Sequence, residues 1–92
     1  MYEGEKNEIL YGGDFVKDAK RLPRYIQEKL ADLLAIAVVD IFDLRLHTKR
    51  LAPPLTGKYS FRITRDWRVT FEFRGPHIIF LLAVDHRSKI YR

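Results

Sequence analysis

Two arginines stand out for their neighbours. In Tyr59-Ser-Phe-Arg-Ile-Thr-Arg65 the apolar side chains are Tyr59, Phe61 and Ile63, and the polar ones are Ser60, Arg62 and Thr64. In Trp67-Arg-Val-Thr-Phe-Glu-Phe73 the odd positions are again apolar, with Arg68, Thr70 and Glu72 between them. Alternation of period two predicts two strands, each with one face on a core and one face open. Arg65-Asp66 makes a tight connection between them, so Arg62 and Arg68 are expected side by side on the open face. Guanidinium groups stay charged and grip phosphate oxygens in bidentate fashion. Such a pair suits a phosphate, and it suits equally well a cross-strand pairing with Glu72.

The distribution of charge bears on that choice. The net charge of +5 conceals two unlike halves. Residues 1–44 hold six Lys or Arg against nine Asp or Glu, whereas residues 45–92 hold eleven against three. Cations gathered in one half favour a polyanionic partner, because phosphate contacts release counterions. A merely basic, solvated surface explains the charge equally well unless the arginines converge on one face.

The surrounding elements are legible. Glu8 to Tyr11 reads as a short opening strand ended by Gly12-Gly13. Asp14 is expected as an N-cap, with Phe15, Ala19 and Leu22 following at i, i+4 and i+7. Leu22-Pro23 breaks this helix, since proline disfavours helical geometry in the residue before it. A second helix is expected from about Pro23 to Val38, with Ile26, Leu30, Leu33, Leu34 and Ala37 on one stripe. Leu44 to Gly57 reads as a basic loop on the rim of the sheet, its paired prolines forbidding a helix. Ile78 to Val84 is apolar throughout, as suits a central strand covered at least partly on both sides. Trp67, Phe71 and Phe73 are expected in the core. The fold class is therefore α+β, a β-α-α-β-β-β order in which a two-helix hairpin packs on one face of a small, mainly antiparallel twisted sheet.

A chain of 92 residues supports a single domain, expected over residues 1–92, and leaves little room to enclose a bulky cofactor. The absence of cysteine excludes disulfides, thiolate metal sites and cysteine nucleophiles. There is no membrane-length apolar run, and the charged start MYEGEKNEIL is not a signal peptide. A cytoplasmic protein with no membrane association is expected, and no cofactor or metal.

Three segments in order, LRLHTKRLAPPLTGKYSFRIT (44–64), DWRVTFEF (66–73) and VDHRSKIYR (84–92), resemble the RelE/ParE superfamily of toxins, above all its RNA-cleaving branches. With the two-helix front half the resemblance spans Ile9 to Arg92. It implies a toxin of a type II toxin–antitoxin system, with a cognate antitoxin as partner. It further implies a ribosome-dependent endoribonuclease that enters the A site and cuts mRNA there. The alternative within the superfamily is a ParE-like inhibitor of DNA gyrase that binds without cutting.

Carried over residue by residue, the resemblance implies catalytic roles for Arg62, Arg68, His86, Arg87 and Tyr91. It implies RNA contacts for His47, Lys49, Arg50, Lys58 and Ser60. Ser60 departs from the lysine of the best-known ribosome-dependent cutters, which leaves the general base unassigned. The implied chemistry needs no metal: the 2′-hydroxyl attacks the adjacent phosphorus, leaving a cyclic phosphate and a 5′-hydroxyl. The arginines would neutralise the phosphorane, with Arg87 near the leaving side. Tyr91 would stack on a base or orient a phosphate. His86, whose ordinary pKa lies near neutrality, is the candidate acid or base.

Overall fold

The computed structural model describes residues 5–90. Its elements are β1 (Glu8–Tyr11), α1 (Gly13–Lys20), α2 (Arg24–Val39), a 3-10 turn (Leu44–Leu46), β2 (Lys49–Arg50), β3 (Tyr59–Arg62), β4 (Trp67–Gly75), β5 (Ile78–His86) and α3 (Arg87–Ile90). The five strands form one sheet in the order β1-β5-β4-β3-β2. β1 runs parallel to β5, and all other neighbours are antiparallel. The expected layers are present, with two additions. One is α3; the other is the two-residue strand β2, which turns part of the expected basic loop into a sheet edge.

The helical hairpin forms for the reasons its spacing gives. Phe15 and Leu22 from the first helical segment are buried, as are Ile26, Leu30, Leu33 and Ala37 along one stripe of α2. They meet Phe61, Ile63, Val69, Phe71, Ile79, Leu81 and Val84 from the sheet in one continuous core. The break falls at Leu22-Pro23 as expected. There the Gln27 side-chain amide donates to the Ala19 carbonyl at 2.7 Å and fastens the end of α1 to α2.

Asp14 is not the N-cap. Gly12 holds that position without any side-chain cap, and Asp14 lies in the first turn, where a carboxylate complements the helix dipole. The reason is steric. The Gly12 backbone N–H donates to the Leu81 carbonyl at 2.9 Å, and a Cβ on Gly12 would stand 2.6 Å from that same oxygen. The chain can leave β1 only through a residue with no side chain.

β1 pairs with β5 from Ile78 to Leu81 only. Beyond Leu81 the edge of β5 is flanked by α1, and the Asp18 carboxylate accepts the Val84 backbone N–H at 2.9 Å. A register shift between Thr70 and Phe71 leaves Leu82 without a direct partner on β4. Such an extra residue locally disrupts the ladder and increases the twist.

Candidate functional site

The face of the sheet away from the helices is defined by cross-strand register. Arg62 of β3 lies directly opposite Arg68 of β4, and Arg68 lies opposite Asp85 of β5. Two positions along, Lys49, Ser60, Thr70 and Ala83 form the next row on the same face. Residues two apart along a strand share a face, so all seven belong to the open face. The first row is the one that could bind an anion.

The two arginines are held differently. Arg68 is only 6% exposed, and its guanidinium donates to the Thr64 carbonyl at 3.1 Å. Arg62 is half-buried, and its Nε is enclosed without a hydrogen-bond partner among the described residues. An unsatisfied buried N–H of a charged group is costly, and a phosphate oxygen is the partner it fits best. Neither arginine is drawn off by Glu72. That carboxylate binds Lys58 Nζ at 3.0 Å and Arg74, and the Arg74 guanidinium also lies over the Phe80 ring at 4.0 Å. Arg74 and Lys58 together hold the Glu72 pKa below its ordinary value. Glu72 is thus paired with Lys58 and with Arg74 of its own strand.

Beside the arginine row is a cleft of about 410 Å³, lined by Leu55, Leu82, Ala83, Thr70 and the charged groups Asp14, Lys58, Asp85 and Lys89. Asp85 thus belongs both to the row and to the cleft wall. Burial raises its pKa, the nearby Asp18 carboxylate raises it further, and Lys89 partly offsets both. Sequence reasoning did not single out Asp85. Its signal was a carboxylate standing immediately after an apolar run and two residues before Arg87.

The other expected residues are distributed as follows. Arg87 opens α3, exposed, and its backbone N–H donates to the Asp66 carbonyl at 2.7 Å, which places it by the turn joining Arg62 to Arg68. His86 pairs with Trp67 in the register and is therefore on the helix-covered face, opposite to the arginines. Its ring meets the Trp67 ring edge-on at 5.5 Å, and its Nδ1 lies 3.1 Å from the Ser88 hydroxyl. These contacts make His86 a capping group for α3, and the geometry does not bring it to the arginine row. Tyr91 lies outside the described residues.

Ser60 is buried on the open face between Lys49 and Thr70. Lys49 and Arg50 form the exposed edge strand, and by alternation only Lys49 shares the arginines' face. Lys58 is half-buried and bound to Glu72. His47 is exposed and adopts a left-handed backbone (φ 50°) at the exit of the 3-10 turn. Upstream of β2 the chain runs toward the Arg62 end of β3, so His47 stands at that end of the sheet. Among the described residues no group of histidines and carboxylates is arranged to hold a metal ion. Among the described residues no helix is long and apolar enough to cross a membrane.

With this geometry established, comparison with known proteins is informative. The family model described as the ParE toxin of the type II toxin–antitoxin system, parDE, matches residues 9–91. No curated protein matches in sequence. Among solved structures, YafQ from E. coli strain BL21(DE3) is similar with a TM-score of 0.75 at 15% identity, covering 95% of this chain and 100% of its own. RelE in the archaeal RelE–RelB complex from Pyrococcus horikoshii OT3 is similar with a TM-score of 0.75 at 18% identity, covering 91% and 98%. The RelB–RelE antitoxin–toxin complex from Methanococcus jannaschii gives 0.71 at 24% identity, covering 89% and 94%. At these identities the likeness is one of fold.

Proposed function

The chain belongs to the ParE toxin family of type II toxin–antitoxin systems, and from that premise we propose that it is an endoribonuclease that cuts mRNA in the ribosomal A site. The observation that carries this reading is the Arg62–Arg68 pair, two arginines directly opposite one another on the open face, one of them with a buried Nε that has no partner among the described residues. Two like charges at a directly opposed position destabilise a sheet. Their placement makes sense when a phosphate lies between them.

In the reaction the 2′-hydroxyl attacks the neighbouring phosphorus and the 5′-oxygen leaves. Arg62 and Arg68 stabilise the charge that develops on the phosphorane oxygens. Arg87, at the turn end of the same row, stands toward the leaving side. Tyr91 serves as a platform for an unpaired base, Lys49 and His47 line the approach of the RNA, Ser60 underlies it, and Arg50 adds charge at the sheet edge. Lys58 contributes through its pairing with Glu72, as a fixed part of the cleft wall. The partners are the ribosome with its messenger, which sets the compartment as the cytoplasm, and a cognate antitoxin. RelE from Methanococcus jannaschii and from Pyrococcus horikoshii each occurs in a complex with RelB, which supports the last partner.

One observation favours a second reading. The family model that spans residues 9–91 is that of the ParE toxin, and the ParE kind inhibits DNA gyrase by binding. One pair of assays separates the two. Purified protein is added to a translation extract, message ends are mapped by primer extension, and gyrase supercoiling is followed in parallel. Cuts confined to translated messages, with supercoiling intact, are the expected result. Intact messages with blocked supercoiling would establish the second reading instead.

A further inference from the structure

We infer that Asp85 is the general base of the site, the group that takes the 2′-hydroxyl proton as that oxygen attacks phosphorus. The inference rests on the ribonuclease reading above and adds to it the one role the sequence left unassigned. Its basis is position. Arg62, Arg68 and Asp85 occupy one cross-strand row, on neighbouring strands about 4.8 Å apart. A phosphate gripped by the arginine pair stands next to Asp85 in that row, and Asp85 also walls the adjoining cleft, which has room for the sugar.

Elimination points the same way. Ser60 has no basicity to offer, and His86 is on the covered face with Trp67. Glu72 is held by Lys58 and Arg74. The Arg68 guanidinium donates to the Thr64 carbonyl.

The charged groups around Asp85 determine its basicity. Asp18 and Asp14 face it from α1, with Arg21 at the far end of that helix; Lys89 faces it from α3. Arg68 stands beside it on β4, and Lys58 lies across the cleft. Asp18 is fixed by its bond from the Val84 N–H, so its charge cannot swing away from Asp85. Burial and Asp18 raise the Asp85 pKa against the opposing pull of Lys89. A carboxylate so raised is a stronger base than an ordinary one. In the balanced step the 2′-oxygen forms its bond to phosphorus while its proton passes to an Asp85 Oδ. The bond from phosphorus to the 5′-oxygen breaks, that oxygen takes a proton from water, and Asp85 returns its proton to solvent.

The test is single-turnover cleavage on purified ribosomes carrying a defined message, followed from pH 5 to pH 8.5. Wild-type protein is expected to show a rate that rises with pH through an acidic limb. Asp85→Asn is expected to lose at least a hundredfold in rate and to lose that limb, with binding to the programmed ribosome unchanged. Asp18→Asn can still accept the Val84 N–H but lacks the charge, so it is expected to cut with the limb moved to lower pH. Cleavage by Asp85→Asn within threefold of wild type, or an unmoved limb in Asp18→Asn, overturns the assignment and leaves the ribonuclease reading intact. Absence of cutting by the wild-type protein overturns both.

Discussion

Arg62 and Arg68 face each other across β3 and β4, yet among the described residues Arg68 is bonded to the Thr64 carbonyl while the Arg62 Nε has no partner. Their truncations should therefore diverge. Arg62→Ala is expected to reduce cleavage at least a hundredfold with no loss of thermal stability, since it removes an enclosed Nε–H that has no partner among the described residues and relieves a like-charge contact. Arg68→Ala is expected to reduce cleavage similarly but also to cost about 1–3 kcal/mol, because the side chain is 6% exposed and hydrogen-bonded. Paired activity and urea-denaturation measurements check both. Equal stability loss in the two variants would contradict the asymmetry.

The same pair should respond to anions. A short single-stranded RNA is expected to raise the melting temperature of the wild-type protein, and the rise should shrink steeply as salt increases. Arg62→Ala should show a smaller shift and a shallower salt dependence. Differential scanning fluorimetry with and without the oligonucleotide reads this directly.

Asp85 carries a prediction for stability that is independent of catalysis. Its pKa is raised in the folded protein, first by burial and then by Asp18. The ionised form therefore works against folding at pH values above the folded-state pKa. No such penalty remains below the unfolded-state value, where the group is protonated in both states. Asp85→Asn is expected to be more stable than wild type at pH 7, the gain fading as pH falls through the folded-state pKa. A gain that persists unchanged at pH 3, measured by thermal melts, would refute this.

The exit from β1 offers a steric test with an internal control. Gly12→Ala places a Cβ 2.6 Å from the Leu81 carbonyl oxygen, whereas a Cβ on Gly13 meets nothing within 4 Å. Gly12→Ala is expected to destabilise by more than about 1 kcal/mol, and Gly13→Ala to stabilise by about 0.5–1 kcal/mol through reduced freedom of the unfolded chain. Chemical denaturation of the two variants side by side gives the comparison.

Much of this architecture is written in local pattern. The alternation in residues 59–73 sets both hairpin strands and places Arg62 beside Arg68, and Leu22-Pro23 sets the helical break. What the pattern left out has identifiable causes. Two residues, Lys49 and Arg50, are too few to show alternation, so β2 emerged only through its pairing with β3. Ile78 to Val84 is apolar at every position, so nothing in it distinguishes one face from the other. The faces of Asp85 and His86 are decided by register against Arg68 and Trp67, together with the extra residue Leu82. That tertiary information puts the histidine beside Trp67 at the start of α3 and the carboxylate, which had drawn no expectation, beside Arg68 on the open face. The Gly12 cap likewise depends on Leu81, nearly seventy positions downstream, rather than on its own neighbours.

The bond from the Val84 N–H to Asp18 has a consequence for how copies of this toxin meet. A bare strand margin invites another chain to zip onto it and begin an ordered aggregate. Here a negative charge, carried in on a helix, occupies a donor that an intruding strand would need, and any such strand would have to displace it. The far half of β5 is thereby closed to self-association, which would help a small, strand-rich protein stay dispersed as it accumulates in the cell.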